Sequence, residues 1–190
     1  MSHTRGPILA IPGNDRDHVT GPDSATITVV NYGDYQCPDC HRRHREVQRM
    51  VDELQRSVRF VYRHFPLVKV HPLALRTAEA AEAAGAQGKF WEMHRQLYTN
   101  PHKLEDRNLR HYAREIGLDL ERYDDEMANS SYAAQILKDY YNAIIYGISG
   151  APTTFINDEL CALTGVDLFT TVKSILQKNS ASPRTSTTLD

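Results

Sequence analysis

The sequence predicts an α/β layer protein whose single sheet is built from two separated stretches of chain and interrupted by an all-helical insertion. Three observations predict this. Two β-branched, apolar runs, Thr26–Tyr32 (TITVVNY) and Val58–Phe65 (VRFVYRHF), flank a helical pattern that starts at Pro38. From His71 to about Gly147 nearly everything reads as helix. Strand character then returns after Gly150-Ala151-Pro152, in Thr153–Asn157 (TTFIN). The order is βαβ, helices, ββα, and parallel strands joined through a helix imply a layered α/β architecture.

Residues 1–25 are rich in Gly, Pro, Asp and Asn without sustained periodicity, and read as an extended arm. The first strand is broken by Gly33 and Asp34. In the helix from Pro38 to about Arg56, Val47, Met50, Val51 and Leu54 recur at spacings of three and four. Pro66 stops the second strand. In the insertion, LALRTAEAAEAAGAQ has strong helix propensity, and KFWEMHRQLY, LEDRNLRHYAREIG and SYAAQILKDYYNAIIYG follow between Gly, Asn or Pro breaks. A turn at Asn157-Asp158 precedes a short strand from Leu160 to Leu163, and Val166–Gln177 forms a last amphipathic helix. The expected organisation is an arm (1–25), a discontinuous sheet domain (26–70 and 148–179), a helical insertion (71–147) and a disordered tail (180–190).

Hydrophobic residues make up 41% and charged residues 24%, an ordinary globular balance. With 22 Lys and Arg against 24 Asp and Glu, the net charge of -2 gives no electrostatic case for nucleic acid or an anionic membrane. No run approaches the roughly 20 apolar residues of a membrane span. The N-terminal apolar run, Ile8–Ile11, is too short for a secretory leader, so the chain as it stands reads as cytoplasmic.

The three cysteines do not form a disulfide framework. Two of them lie in YQCPDCH, where Cys37 follows a strand and opens a helix. Unpaired amides and the positive end of the helix dipole favour a thiolate there. Pro38 suits the first helical turn. Cys40, one turn on, shares the face of Cys37 and can resolve a mixed disulfide. Asp39 is expected to raise the Cys37 pKa and stabilise the disulfide. A metal site of Cys37, Cys40, His41 and His44 is the competing reading. It is disfavoured because one continuous helix cannot wrap four ligands tetrahedrally around an ion. An inert pair is the third reading.

YGDYQCPDC after an apolar strand, followed by FVYRHFPL, HPLALRTAEAAEAAGAQGKFWEMH and GAPTTFIN, resembles the DsbA-like branch of the thioredoxin superfamily, from about residue 16 to 178. The resemblance implies a thioredoxin fold with an inserted helical domain and protein-disulfide oxidoreductase activity. It makes Cys37 the nucleophile, Cys40 the resolving cysteine and Pro152 a cis-proline, with backbone around Ala151 free to pair with an extended substrate. No organic cofactor or metal is required. The expected partners are thiol- or disulfide-bearing proteins or small thiols, with glutathione or a thioredoxin system as redox partner. Three departures stand out. Ala151 replaces the Thr or Val common in relatives. Asn31 stands where periplasmic relatives often carry an acid, and the pair is CPDC, whereas CPHC marks strong oxidants. Two other readings are a kappa-type glutathione transferase, which needs no resolving cysteine, and a non-catalytic binding or chaperone module.

Other residues carry simpler expectations. Asp34 is expected to be solvated in its loop, with a proton-relay role as the alternative; His41 and His44 are expected to be packing or surface residues, with modulation of Cys40 as the alternative for His41. His64 and His71 flank a proline-bounded loop; His71 is expected to open the first inserted helix, with Pro72 at its first position, the alternative being that this loop approaches the active site. Arg76, Glu79 and Glu82 read as a solvated helix face, Phe90, Trp91 and Met93 as helix packing, and Cys161 as a small buried hydrophobe.

Overall fold

The computed structural model describes residues 17–161 and 167–181. Residues 1–16 of the arm, the Leu163 end of the short strand and residues 182–190 of the tail lie outside that range. The elements are β1 (His18–Thr20), β2 (Ile27–Gly33), α1 (Pro38–Leu54), β3 (Val58–His64), α2 (Ala74–Gly85), α3 (Phe90–Thr99), α4 (Asp106–Glu115), α5 (Leu120–Ala128), α6 (Ala133–Ile145), β4 (Thr153–Ile156), β5 (Glu159–Leu160) and α7 (Leu168–Ala181).

The sheet runs β1-β3-β2-β4-β5. The central pair β2 and β3 is parallel, aligning Val29 with Phe60, and α1 supplies the crossover. β4 is antiparallel to β2, pairing Asn31 with Thr154, and β5 turns back on β4. The two halves of the chain therefore meet in one sheet.

Side chains alternate across that sheet, as the pleat requires. Ile27 and Val29 join Phe60, Tyr62 and Ile156 on one face, which α1 covers with Val47 and Met50 and α7 with Leu168, Phe169 and Val172. Val30 and Tyr32 join Val61 and Phe155 on the other, against Ala143 of α6. Phe90, Met93 and Leu97 of α3 extend the first core, so the insertion shares it with the sheet domain. The alanines of α2 let neighbouring helices approach closely: Ala80, Ala81, Ala83 and Ala84 are fully buried. The central residues of the Pro38 helix and the packing roles of Phe90 and Met93 follow the sequence pattern.

Four readings need correction. The arm contributes a strand: His18–Thr20 pairs antiparallel with Phe60–Tyr62. Three residues are too few to show a period, and tertiary partners hold them. Asp17 makes a two-pronged bond to Arg63 (2.7 Å to each oxygen), and the Trp91 indole donates to the Val19 carbonyl at 3.3 Å. Gly21 closes the strand with φ +93°, where a Cβ would strike the Val58 carbonyl. The final helix continues to Ala181, into the stretch read as tail. Between the helices expected in the insertion stands α5, whose Asp119 cap accepts from the amides of Glu121 (3.0 Å) and Arg122 (3.2 Å).

The Arg76, Glu79 and Glu82 face is not solvated. Glu79 is buried. Arg76 binds Asp106 at 2.8 Å and the Met127 carbonyl at 2.6 Å. Glu82 receives two histidines. α2 lies at the centre of the insertion, so charges that look peripheral along the sequence face neighbouring elements.

Candidate active site

Cys37 ends the loop that leaves β2 and stands at the N-cap of α1 with extended backbone (φ -76°, ψ 121°). Pro38 takes the first helical positions and no side chain caps the helix, so its first amides are open to the cysteine sulfur. The S–H of Cys40 donates to the Cys37 sulfur and lowers its pKa most. Burial opposes this, the amides of Cys40 and Asp39 add to it, and the charge of Asp34 opposes it. The Cys37 thiol ends lowered to about 6. Cys40 moves strongly upward, because its proton is held by Cys37 and because it is buried. Both cysteines are free thiols, and both are buried. When protonated, Cys37 points its S–H at the Ala151 carbonyl, 3.5 Å away. The Ala151–Pro152 peptide is cis.

The acid that acts on this pair is not the one the motif suggests. The Asp39 carboxylate is 61% exposed and pairs with Arg42 at 2.9 Å. The part of Asp39 that reaches Cys37 is its amide, which favours the thiolate. Asp34, expected in solvent, is buried. One oxygen accepts from the Gln36 amide at 2.7 Å, the other from the Leu67 amide at 2.9 Å and His71 Nδ1 at 2.8 Å. Its charge disfavours ionisation of both cysteines. His71 does not open a helix: α2 begins at Ala74, and the His71 ring instead ties the Pro66–Pro72 loop to Asp34. Gln36 adds a second tie, accepting from the Leu73 amide at 2.8 Å.

His41 is buried, with Nδ1 3.0 Å from the Tyr98 carbonyl and Nε2 2.6 Å from the Tyr35 carbonyl. Both partners are acceptors only, so both bonds form together only when the ring carries two protons. Burial, and then the neighbouring His41 ring, lower the His44 pKa to about 4. His44 stacks on Tyr98 (4.4 Å between centroids, 11° between planes). These rings hold the helix against the insertion. Among the described residues the two cysteines, His41 and His44 do not converge as metal ligands.

Behind Cys40 is a cavity of about 10 Å³, lined in part by Asn31, His44, Tyr62, His94 and Tyr98, large enough for about one water. Asn31 accepts from the Thr154 hydroxyl at 2.9 Å. Gly33 leaves room for these rings: a Cβ there would lie 2.7 Å from Tyr62 Cε2 and 2.8 Å from the Tyr98 hydroxyl. Cys161 is half-buried beside the main core, and burial raises its pKa. The sequence reading missed the buried state of Asp34 and its bond to His71. Its available signal was an acid directly beside the YQC loop, with a histidine in a proline-bounded loop.

A profile of the DSBA-like thioredoxin domain matches residues 28–177, which include Cys37, Cys40, Ala151 and Pro152. The chain belongs to the DSBA-like family. A DSBA-like fold is also what solved structures share with it. A thioredoxin-like oxidoreductase from Silicibacter pomeroyi superposes with a TM-score of 0.73 at 29% identity, covering 90% of this chain and 95% of that one. BdbD from Bacillus subtilis, in its oxidised form, gives a TM-score of 0.73 at 21% identity over 85% of this chain and 91% of its own, a likeness of fold. Among curated relatives, the Na(+)/H(+) antiporter NhaA 1 of Salinispora arenicola is 44% identical over 143 residues, 75% of this chain and 22% of that protein. NhaA 1 of Mycobacterium sp. (strain KMS) is 36% identical over 145 residues, 24% of its length. The chain thus spans about a quarter or less of these relatives, whose name describes the whole proteins. No helix among the described residues is long and apolar enough to cross a membrane.

Proposed function

We propose that this DSBA-like chain is a thiol–disulfide oxidoreductase that works through Cys37 and Cys40. The observation that carries the reading is the geometry of the pair: Cys37 stands at the N-terminus of α1, which no side chain caps, with Cys40 one turn on and the Ala151 carbonyl 3.5 Å from the Cys37 sulfur, a setting that lowers the Cys37 pKa and raises that of Cys40. At neutral pH one sulfur is a nucleophile and the other is kept in reserve.

The Cys37 thiolate attacks a substrate disulfide. A new S–S bond forms to Cys37, the substrate bond breaks, and its second sulfur leaves as a thiolate that takes a proton from solvent. Forming the mixed disulfide removes the Cys37 charge that held the Cys40 proton, so Cys40 can ionise. Its thiolate attacks Cys37, closes the Cys37–Cys40 disulfide and releases the remaining substrate thiolate. Two electrons pass from the dithiol to the substrate; in reverse, the pair donates its disulfide. The Ala151 carbonyl beside the attacking sulfur is positioned to accept from an extended substrate backbone, with Pro152 shaping that edge.

In this proposal the substrates are thiol- or disulfide-bearing proteins or small thiols, in the cytoplasm, with residues 71–147 forming a helical domain inserted in the sheet domain. Cys40→Ser, mixed with oxidised glutathione, tests the scheme. It should accumulate a glutathionyl adduct on Cys37, seen by mass spectrometry, which wild type resolves. Absence of an adduct on a free, folded Cys37 would refute the proposed nucleophile. Undiminished catalytic turnover without Cys40 would favour glutathione transfer of the kappa type.

A further inference from the structure

We propose that His18, His64 and Glu82 form a binding site for one divalent transition-metal ion, zinc being the ion whose coordination they suit best. The three residues come from separate elements, β1, β3 and α2. Both imidazoles direct Nε2 to the same carboxylate oxygen: His18 lies 2.7 Å and His64 2.9 Å from Glu82 Oε1. All three donor atoms fall within 4.8 Å of one another. Two imidazoles and a carboxylate are a common three-ligand zinc set, with bonds of about 2.0–2.2 Å that leave a fourth position for water or another ligand. Tetrahedral donors at that radius stand roughly 3.3 Å apart. The two nitrogen–oxygen distances need to open by only about half an ångström, within reach of side-chain rotation.

The surroundings favour a formed site over a chance cluster. The His18 ring is stacked on Phe90 (3.3 Å between centroids, 3° between planes). The His64 ring is held edge-on by Tyr35, Tyr62 and Phe90. Both imidazole orientations are therefore set before an ion arrives, which reduces the ordering cost of binding. The side chains of His18 and Glu82 remain 17% and 24% exposed, giving an ion a way in and a solvent side for a fourth ligand. This is not the CPDC cluster considered from the sequence, because no cysteine takes part. Its ion would clamp β1 and α2 onto β3. Tyr35, two residues before Cys37, contacts His64 directly, so the clamp would brace the active loop without entering the sulfur chemistry.

The competing description is a metal-free pin in which both imidazoles donate to Glu82. The experiment uses the untagged full chain with Cys37, Cys40 and Cys161 changed to Ser, so that thiols cannot bind the ion. Zinc is titrated in competition with a chromophoric chelator, and cobalt(II) is added separately to record its visible spectrum. We expect one zinc per chain, a Kd of micromolar or tighter, a rise in Tm with zinc, and cobalt bands of a four- or five-coordinate nitrogen–oxygen site. Glu82→Gln and His18→Gln should each weaken zinc binding at least tenfold. His18→Gln lies on the edge strand and serves if Glu82→Gln does not fold, as judged by circular dichroism. Less than a tenth of an equivalent bound by the parent, or equal zinc affinity in a folded ligand variant, overturns the proposal.

Discussion

Replacing Cys40 by Ala should raise the Cys37 pKa, because the S–H of Cys40 is the largest influence lowering it. A hydrogen bond to a charged group contributes about 1.5–3 kcal/mol, equivalent to roughly 1–2 pKa units. The amides of residues 39 and 40 remain, so the shift is partial, and Cys37 should move from about 6 to roughly 7–8. At pH 6 the ionised fraction then falls from about one half to between about one tenth and one hundredth. Cys40→Ser retains a donor and should stay nearer the parent. The assay is the pH profile of alkylation by iodoacetamide, with thiolate absorbance as a second readout. An Ala variant whose midpoint stays at or below that of the parent would refute the assignment of Cys40 as the principal donor.

Further outcomes follow from the same geometry. Asp34→Asn should lower the Cys37 pKa and raise the reduction potential, by about 30 mV per pKa unit, whereas Asp39→Asn should change it less. A larger effect at Asp39 would contradict the burial contrast between them. Because Cys37 is near 6 when folded and about 8.5 when unfolded, the reduced protein's stability should rise relative to the oxidised form as pH climbs from 6 to 8.5. The Cys37 contribution is lost as pH falls through 6, and above about 8.5 the raised pKa of Cys40 opposes it; parallel urea-midpoint curves for the two forms between about pH 6 and 8.5 would count against it. Gly33→Ala should destabilise by about 1–3 kcal/mol through overpacking against Tyr62 and Tyr98, measured by urea unfolding. An unchanged midpoint would mean those rings yield without cost.

Most of the sheet was legible because β2, β3 and β4 carry β-branched runs ended by Gly, Pro or a turn. α1 was legible from its apolar spacing. β1 was not, since His18–Thr20 has too few residues to show alternation and depends on Arg63, Trp91 and Glu82 far along the chain. The cysteines announced themselves through motif and placement. Their electrostatic setting did not: Asp34 meets His71 across 37 positions, and His41 meets Tyr98 across 57. Local reading assigned the Asp34 charge to solvent and gave Asp39 the influence on Cys37. Only the tertiary arrangement exchanges those roles, burying Asp34 beneath the active loop and turning the Asp39 side chain outward. Glu79 and Glu82 are the same case on a helix that becomes central.

The reduction potential of the Cys37–Cys40 pair, equilibrated against glutathione buffers, tests the central claim most directly. Thioredoxin pairs a cysteine pKa of about 7 with about -270 mV, and DsbA about 3.5 with about -120 mV. Cys37 at about 6 lies roughly a third of the way between them, which predicts about -230 mV, close to the glutathione poise. A value near that supports a reversible exchange pair poised close to glutathione. A value above about -150 mV or below about -300 mV, or failure to equilibrate with glutathione at all, would contradict it.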